Sequence, residues 1–386
     1  MRPVARTAFR ARVLAALIAG TLALSSAAAQ TAGDRPPGPV WYAGTVRAAG
    51  EGTKPVQLHL TLYPDGFAFG RLQLPGRGLE LLGPGHLQDG VDLRLALAEL
   101  QPGEDPWWAA ELAHLAATTP ASRAETPLRD TVAVLKATRD LDFADEGRQL
   151  TGTFRWSTGE PLEFAVERVA TSAMCSLEQG RISSSAVLPY FTAHAELSQW
   201  FERDALPAWR SFVAEGRDLS IAGVIGWGWY REERVQVAGA AGDLISVLST
   251  VDTYTGGAHP NTFHHSYLLQ AGRTGVARLD LADLFGRQTR WLARLSDLVI
   301  EGLRRQQATW VVDGQVARLN EDDLAVFTLT AQGVTFHFSP YLMGPYVQGT
   351  FRVTLPFEAL LDLATPDSPL ATFAAGTPFA VAPAFP

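Results

Sequence analysis

Three histidines, His259, His264 and His265, fall within seven residues of one another, and Asp252 lies just ahead of them. Imidazole and carboxylate at this density are the donor set of a metal site or an acid–base centre. An extended chain works against the metal: neighbours in a strand point to opposite faces, so only one of His264 and His265 can join His259. No metal and no cofactor are expected. The stretch from Asp252 to Thr262 reads instead as a reversal between two strands. Gly256 and Gly257 permit positive φ, Pro260 fixes the return, and His259 hydrogen-bonds across the loop. An ordered, exposed loop is also where recognition residues sit, with Tyr254, His259 and Asn261 as the contacts it would offer. Further on, His337 alternates with Val334, Phe336 and Phe338, which places the apolar side chains in a core and His337 on the opposite sheet surface. It can approach His259 if the two hairpins are neighbours.

Other reactive residue types lack a pattern that would make them work. The chain has no G-x-S-x-G elbow, no H-E-x-x-H and no Walker loop. Asp280 and Asp283 could be paired carboxylates, but Asp283 just before a turn around Leu284 and Phe285 reads as a helix start. Glu321, Asp322 and Asp323 after Asn320 read as another helix start or an exposed loop. Cys175 is the single cysteine, so it cannot form an internal disulfide; a small buried apolar residue is its default role.

The elements that must hold these residues divide the chain. Arg2, Arg6, Arg10 and Arg12 precede an apolar run from Val13 to about Leu24 and a small-residue site at Ala27-Ala28-Ala29. These are the parts of a secretory signal peptide over residues 1–29, or of a retained anchor if it is not cut. The run is shorter than the roughly 20 residues of a bilayer span, and no later segment qualifies. The product is expected to be secreted or periplasmic. Residues 30–40, rich in proline and glycine, read as a flexible lead-in. Over 41–170, short alternating runs such as Val56 to Leu62 and Phe67 to Leu74 recur between turns, which predicts an antiparallel meander or small barrel. One segment, Asp105 to Leu115 with Trp107 and Trp108, reads as a short helix or lid. Residues 171–182 read as a linker of small and polar residues.

From 183 to 386 the pattern is mixed. Leu244 to Tyr254 and Phe263 to Gln270 read as a hairpin around the glycine turn. Apolar residues at helical spacing predict amphipathic helices over Ala195 to Val213 and Arg290 to Gln306. A last strand pair covers Gly333 to Ser339 and Gln348 to Leu355. The fold class is α+β, with two domains.

With a formal charge of −8 over 386 residues, removal of the first 29 takes away four arginines and no acid, leaving −12. Such a chain is a poor candidate for nucleic acid and suits basic partners.

Several motifs in order resemble a known family, the RsiV-like domain of unknown function found in secreted and surface proteins of bacteria. They are the strand into Tyr254-Thr255-Gly256-Gly257-Ala258-His259, then Leu279-Asp280-Leu281-Ala282-Asp283-Leu284-Phe285 and Phe327-Thr328-Leu329-Thr330. Val334 to Tyr341 and Gly344-Pro345-Tyr346-Val347-Gln348-Gly349 complete the set, which spans roughly Ile182 to Leu363. The best understood members are membrane-anchored anti-sigma factors whose outer domain binds lysozyme; others sit beside cell-wall deacetylase domains. The resemblance implies a binding or sensing module at the envelope. With only about a dozen residues before the apolar run and no deacetylase domain following, direct sigma-factor control is not expected.

Two readings follow. The first is a non-catalytic envelope protein that binds a basic protein such as a lysozyme, or peptidoglycan, through Tyr254, Gly256, Gly257, His259, Asn261, His337 and Tyr341. The second is a secreted hydrolase of wall glycans or peptides with Asp252, Tyr254, His259 and His337 around one cleft.

Overall fold

The computed structural model describes residues 39–380 except 49–51, 63–66, 76, 89–91, 101–132, 140–148, 158, 192–193, 222–227, 273–274 and 286–289. The segment read as a signal peptide, the lead-in up to Gly38 and the stretch from Asp105 to Leu115 lie outside the described residues.

Eight strands make the first layer: β1 (Pro39–Ala48), β2 (Gly52–Leu62), β3 (Phe67–Leu74), β4 (Leu79–Gln88), β5 (Asp92–Glu99), β6 (Ala133–Arg139), β7 (Gln149–Trp156) and β8 (Leu162–Gln179). Each pairs antiparallel with the next, and β8 returns to β1 to close an antiparallel barrel. Alternation along the strands does the work: Leu58, Leu60, Leu72, Leu81, Leu93, Leu95, Leu135 and Leu150 point inward and are buried. The barrel is therefore filled by leucine side chains. At its closing seam a Cβ on Gly44 would collide with the backbone of Ala165 and Val166, so only glycine lets β1 approach β8 this closely.

Residues 171–179, read from sequence as part of a linker, are the second half of β8. They leave the barrel and pair with β9 (Ile182–Phe191) through a turn at Gly180, whose φ is 62°. No side chain from Thr171 to Glu178 is fully buried, so the stretch carries no apolar alternation from which a strand could be read. Helix α1 (Ala195–Ile221) then crosses to β10 (Trp229–Ala241), which runs parallel to β9. Strands β11 (Leu244–Tyr254), β12 (Asn261–Gly272) and β13 (Gly275–Leu279) continue the same sheet antiparallel, giving thirteen strands in sequence order. Leu197, Phe201, Ala205 and Leu206 of α1 pack into a core with Val235, Val237, Ile245, Val247 and Leu269 of the sheet.

After α2 (Leu281–Phe285), α3 (Trp291–Arg305) and α4 (Thr309–Val312), a second sheet forms from β14 (Phe327–Leu329), β15 (Val334–Phe338) and β16 (Phe351–Leu355); α5 (Pro369–Ala374) follows. The apolar stripe of α3, Leu295, Val299 and Leu303, packs against this sheet in one core with Phe336, Phe338 and Val353. The sheet's edge is fixed to the large one by two serines: the amides of Phe327 and Leu329 donate to Ser266 Oγ and Ser246 Oγ, each at 2.8 Å. Consequently every residue of β15 is buried. The surface position expected for His337 is thus corrected: α3 and the large sheet cover the small sheet from its two sides.

The acidic motifs are local. The carboxylate of Asp283 accepts from the Asp280 amide, and Asn320 and Asp323 exchange a reciprocal pair of side-chain to backbone hydrogen bonds. Both are helix- or turn-start caps. Among the described residues, no helix is long and apolar enough to cross a membrane.

Candidate functional site

The hairpin between β11 and β12 is built as its residue types require. Gly256 and Gly257 both have φ of 105°, a conformation that side-chain-bearing residues rarely adopt. Tyr254 Oη donates to the Gly257 carbonyl at 3.0 Å, which ties the strand end over the turn. Asp252 accepts from Thr262 Oγ1 at 2.6 Å through Oδ1 and from Arg234 Nη2 at 2.7 Å through Oδ2. Its carboxylate is occupied in holding three strands together.

His259 emerges from this turn onto a second loop, residues 339–349. Its ring lies face to face on Tyr346, with centroids 3.6 Å apart and planes 16° from parallel. Its Nε2 is 3.1 Å from Tyr341 Oη, 82 residues away in sequence, and its Nδ1 is 2.8 Å from the Pro260 carbonyl oxygen. Tyr341 and Tyr346 are themselves 5.7 Å apart. Beside them, Tyr254 stacks at 6.0 Å on Tyr230, its direct cross-strand partner on β10. Partial burial raises the Tyr230 phenol above its ordinary value, helped by the carboxylates of Asp252 and Glu232 and then by Tyr346 and Tyr254. The two aromatic groups share one hairpin, which carries both Tyr254 and His259.

The 339–349 loop is pinned beneath this layer. Met343 is buried, its carbonyl accepts from the Trp310 amide, and Gln348 bonds both the Thr309 amide and the Gln307 carbonyl. Above the anchor, Tyr341 and Leu342 are about half exposed and Val347 is 89% exposed. Tyr341 has φ of 68°, a left-handed conformation that costs a non-glycine residue about 1 kcal/mol.

His337 lies apart from this layer. It is buried, its Nε2 bonds Thr328 Oγ1 at 2.8 Å, and its ring meets His264 edge-on at 6.1 Å. Burial holds its imidazole well below the ordinary value, with Arg352 and His264 adding to the effect. His264 and His265 fall on opposite faces, buried and exposed respectively. Asn261 is exposed at the start of β12, opposite Thr253.

Thus the structure brings together Tyr254, Gly256, Gly257, His259 and Tyr341, and places His337 in the core. Among the described residues no hydrogen bond joins any two of Asp252, Tyr254, His259 and His337, and no group of three or more His, Cys, Asp or Glu is placed to hold a metal ion. Cys175 is half-buried; burial pushes its thiol up, Glu202 adds to this and Arg210 opposes it. That is the reverse of an activated nucleophile. The residues missed from sequence are Tyr230 and Tyr346, which only the stacking geometry identifies.

Residues 282–358 match the family model described as "Protein of unknown function (DUF3298)". They form a DUF3298 domain. The match covers β14 to β16, α3 and the 339–349 loop, so Tyr341 and Tyr346 lie within the DUF3298 domain while Tyr230, Tyr254 and His259 precede it. Among solved structures, the chain is similar to a DUF3298 family protein from Pseudomonas aeruginosa PAO1, at 16% identity and a TM-score of 0.42, over 54% of this chain and 95% of that one. A DUF3298 family member from Bacteroides fragilis is similar at 14% identity and a TM-score of 0.37, over 53% and 98%. No curated protein matches the chain.

Proposed function

We propose that this protein is an exported, non-catalytic component of the cell envelope, and that its DUF3298 domain and the preceding hairpin form an RsiV-like binding module. The ligand is a basic protein of the lysozyme type or a cell-wall component. The observation that carries this reading is the aromatic layer of Tyr230, Tyr254, His259, Tyr341 and Tyr346, backed by a pinned loop and reaching solvent through Tyr341. Rigid tyrosines supply large contact area at low entropic cost, which is why they anchor protein and glycan recognition. The acidic balance of the chain favours encounter with a cationic partner. Export rests on the arginine-flanked apolar run and small-residue site before Gln30.

The test is retention of basic muramidases, and separately of purified peptidoglycan, on immobilised protein starting at Gln30. Salt-sensitive retention of one of them is expected; retention of neither contradicts the proposal.

A further inference from the structure

A different part of the molecule holds a second candidate site, independent of the aromatic layer. Between the outer wall of the barrel and strands β8 to β10 lies a small cavity of about 60 Å³ that opens to solvent. Register explains its polar lining. Trp41 on β1 pairs with His59 on β2, and His59 pairs with Arg71 on β3. Residues directly opposite in antiparallel strands share a face, so these three side chains form one row across the outside of the barrel. The opposite wall supplies Gln236 from β10, while Phe69, Pro189 and Val237 make apolar sides.

The row is chemically incomplete. Trp41 is 3% exposed, and its Nε1–H, which can only donate, has no acceptor. Gln236 Nε2 and His59 Nε2 are likewise buried without a partner. Arg71 donates to Glu80 from Nε and Nη2, at 3.0 and 2.7 Å. His59 keeps accessible surface although it is enclosed by protein; the cavity provides that surface. Unsatisfied buried donors destabilise the fold unless something enters to accept from them. Apolar walls with a few convergent polar groups are the usual lining of small-molecule sites.

We infer that this cavity is a binding site for a small, flat apolar molecule bearing a carboxylate or carbonyl oxygen, which accepts from Trp41, Gln236 and Arg71 while its body lies against Phe69, Pro189 and Val237. The donor excess selects the acceptor, and the apolar walls select the body. A cationic molecule of the same shape is excluded, because its charge would sit beside the Arg71 guanidinium.

The experiment uses three matched probes, benzoate, acetophenone and benzylamine, titrated into the full chain by ligand-observed NMR and calorimetry. Saturable binding of benzoate or acetophenone in the millimolar range or tighter, with none for benzylamine, is expected; which of the first two binds better reports whether charge is required. Trp41→Phe keeps the ring and removes the donor, and should weaken binding about tenfold. Gln236→Leu serves the same purpose if Trp41→Phe does not fold. Equal binding of all three probes, binding unchanged in the variants, or a cavity that holds only water and no probe overturns the inference.

Discussion

The imidazole of His259 lies flat on the phenol ring of Tyr346, 3.6 Å between centroids, and the same imidazole holds Tyr341 Oη through Nε2. One turn residue thereby joins the β11–β12 hairpin to a loop of the DUF3298 domain, and both partners depend on backbone that their own chain must fix. Glycine supplies it on one side. On the other, Tyr341 itself takes the left-handed conformation.

That conformation gives a prediction about stability alone. Replacing Tyr341 by Gly relieves a strained φ and removes an exposed hydrogen bond to His259, two effects of similar size and opposite sign, so the variant's stability should stay within about 1 kcal/mol of the parent's. Chemical denaturation monitored by circular dichroism checks this. A loss of 2 kcal/mol or more, on the scale of a packed aromatic, would show that the ring is structural.

Two buried histidines should make stability depend on pH. Burial, reinforced by Arg71, holds His59 well below the ordinary histidine value, and His337 is depressed in the same way. Above about pH 6.5 both the folded and unfolded chains keep these groups neutral. As pH falls below that value the unfolded chain takes up protons that the folded chain refuses. Stability should therefore drop by up to about 1.4 kcal/mol per histidine per pH unit until the folded-state values are reached. Denaturation midpoints measured across mildly acidic pH should fall, and His337→Gln should reduce the slope.

Glu80 is 1% exposed and accepts from both Arg71 and Gln73, whose amide also reaches Ala238 on β10. Removing its charge leaves Arg71 without its counter-ion beside the cavity. Glu80→Gln should cost about 2 kcal/mol, read from thermal or urea unfolding; an unchanged midpoint would mean that Arg71 finds water instead.

The N-terminus offers a direct check on export. Expressed with its first 29 residues in a bacterium with a periplasm, the protein should be recovered outside the cytoplasm with Gln30 as its first residue. N-terminal sequencing of a cytoplasmic product beginning at Met1 would contradict the export reading.

Much of the fold was legible where one face of an element is buried and the other is not. Helix α3 showed through Trp291, Leu295, Val299 and Leu303, and β11 through its β-branched run. The barrel was readable as alternating strands, although its closure by Gly44 against β8 joins segments more than a hundred residues apart and leaves no local trace. The outer half of β8 leaves no strand pattern in the sequence because it buries no continuous face. His337 departs from the surface position that alternation implies, because β15 has no solvent side. For the site, Tyr254, Gly257 and His259 could be chosen from one turn, whereas Tyr230 and Tyr346 enter only through stacking between distant segments.

The proposed role of the protein rests on ligand recognition by the aromatic layer. Its most direct test is calorimetric titration of the protein and a Tyr341→Ala/Tyr346→Ala variant with whichever muramidase or peptidoglycan fragment the immobilised protein retains. Affinity should fall by a factor of ten or more, about 1.4 kcal/mol or greater, in a variant with unchanged circular dichroism. Equal affinity in the two proteins would contradict it.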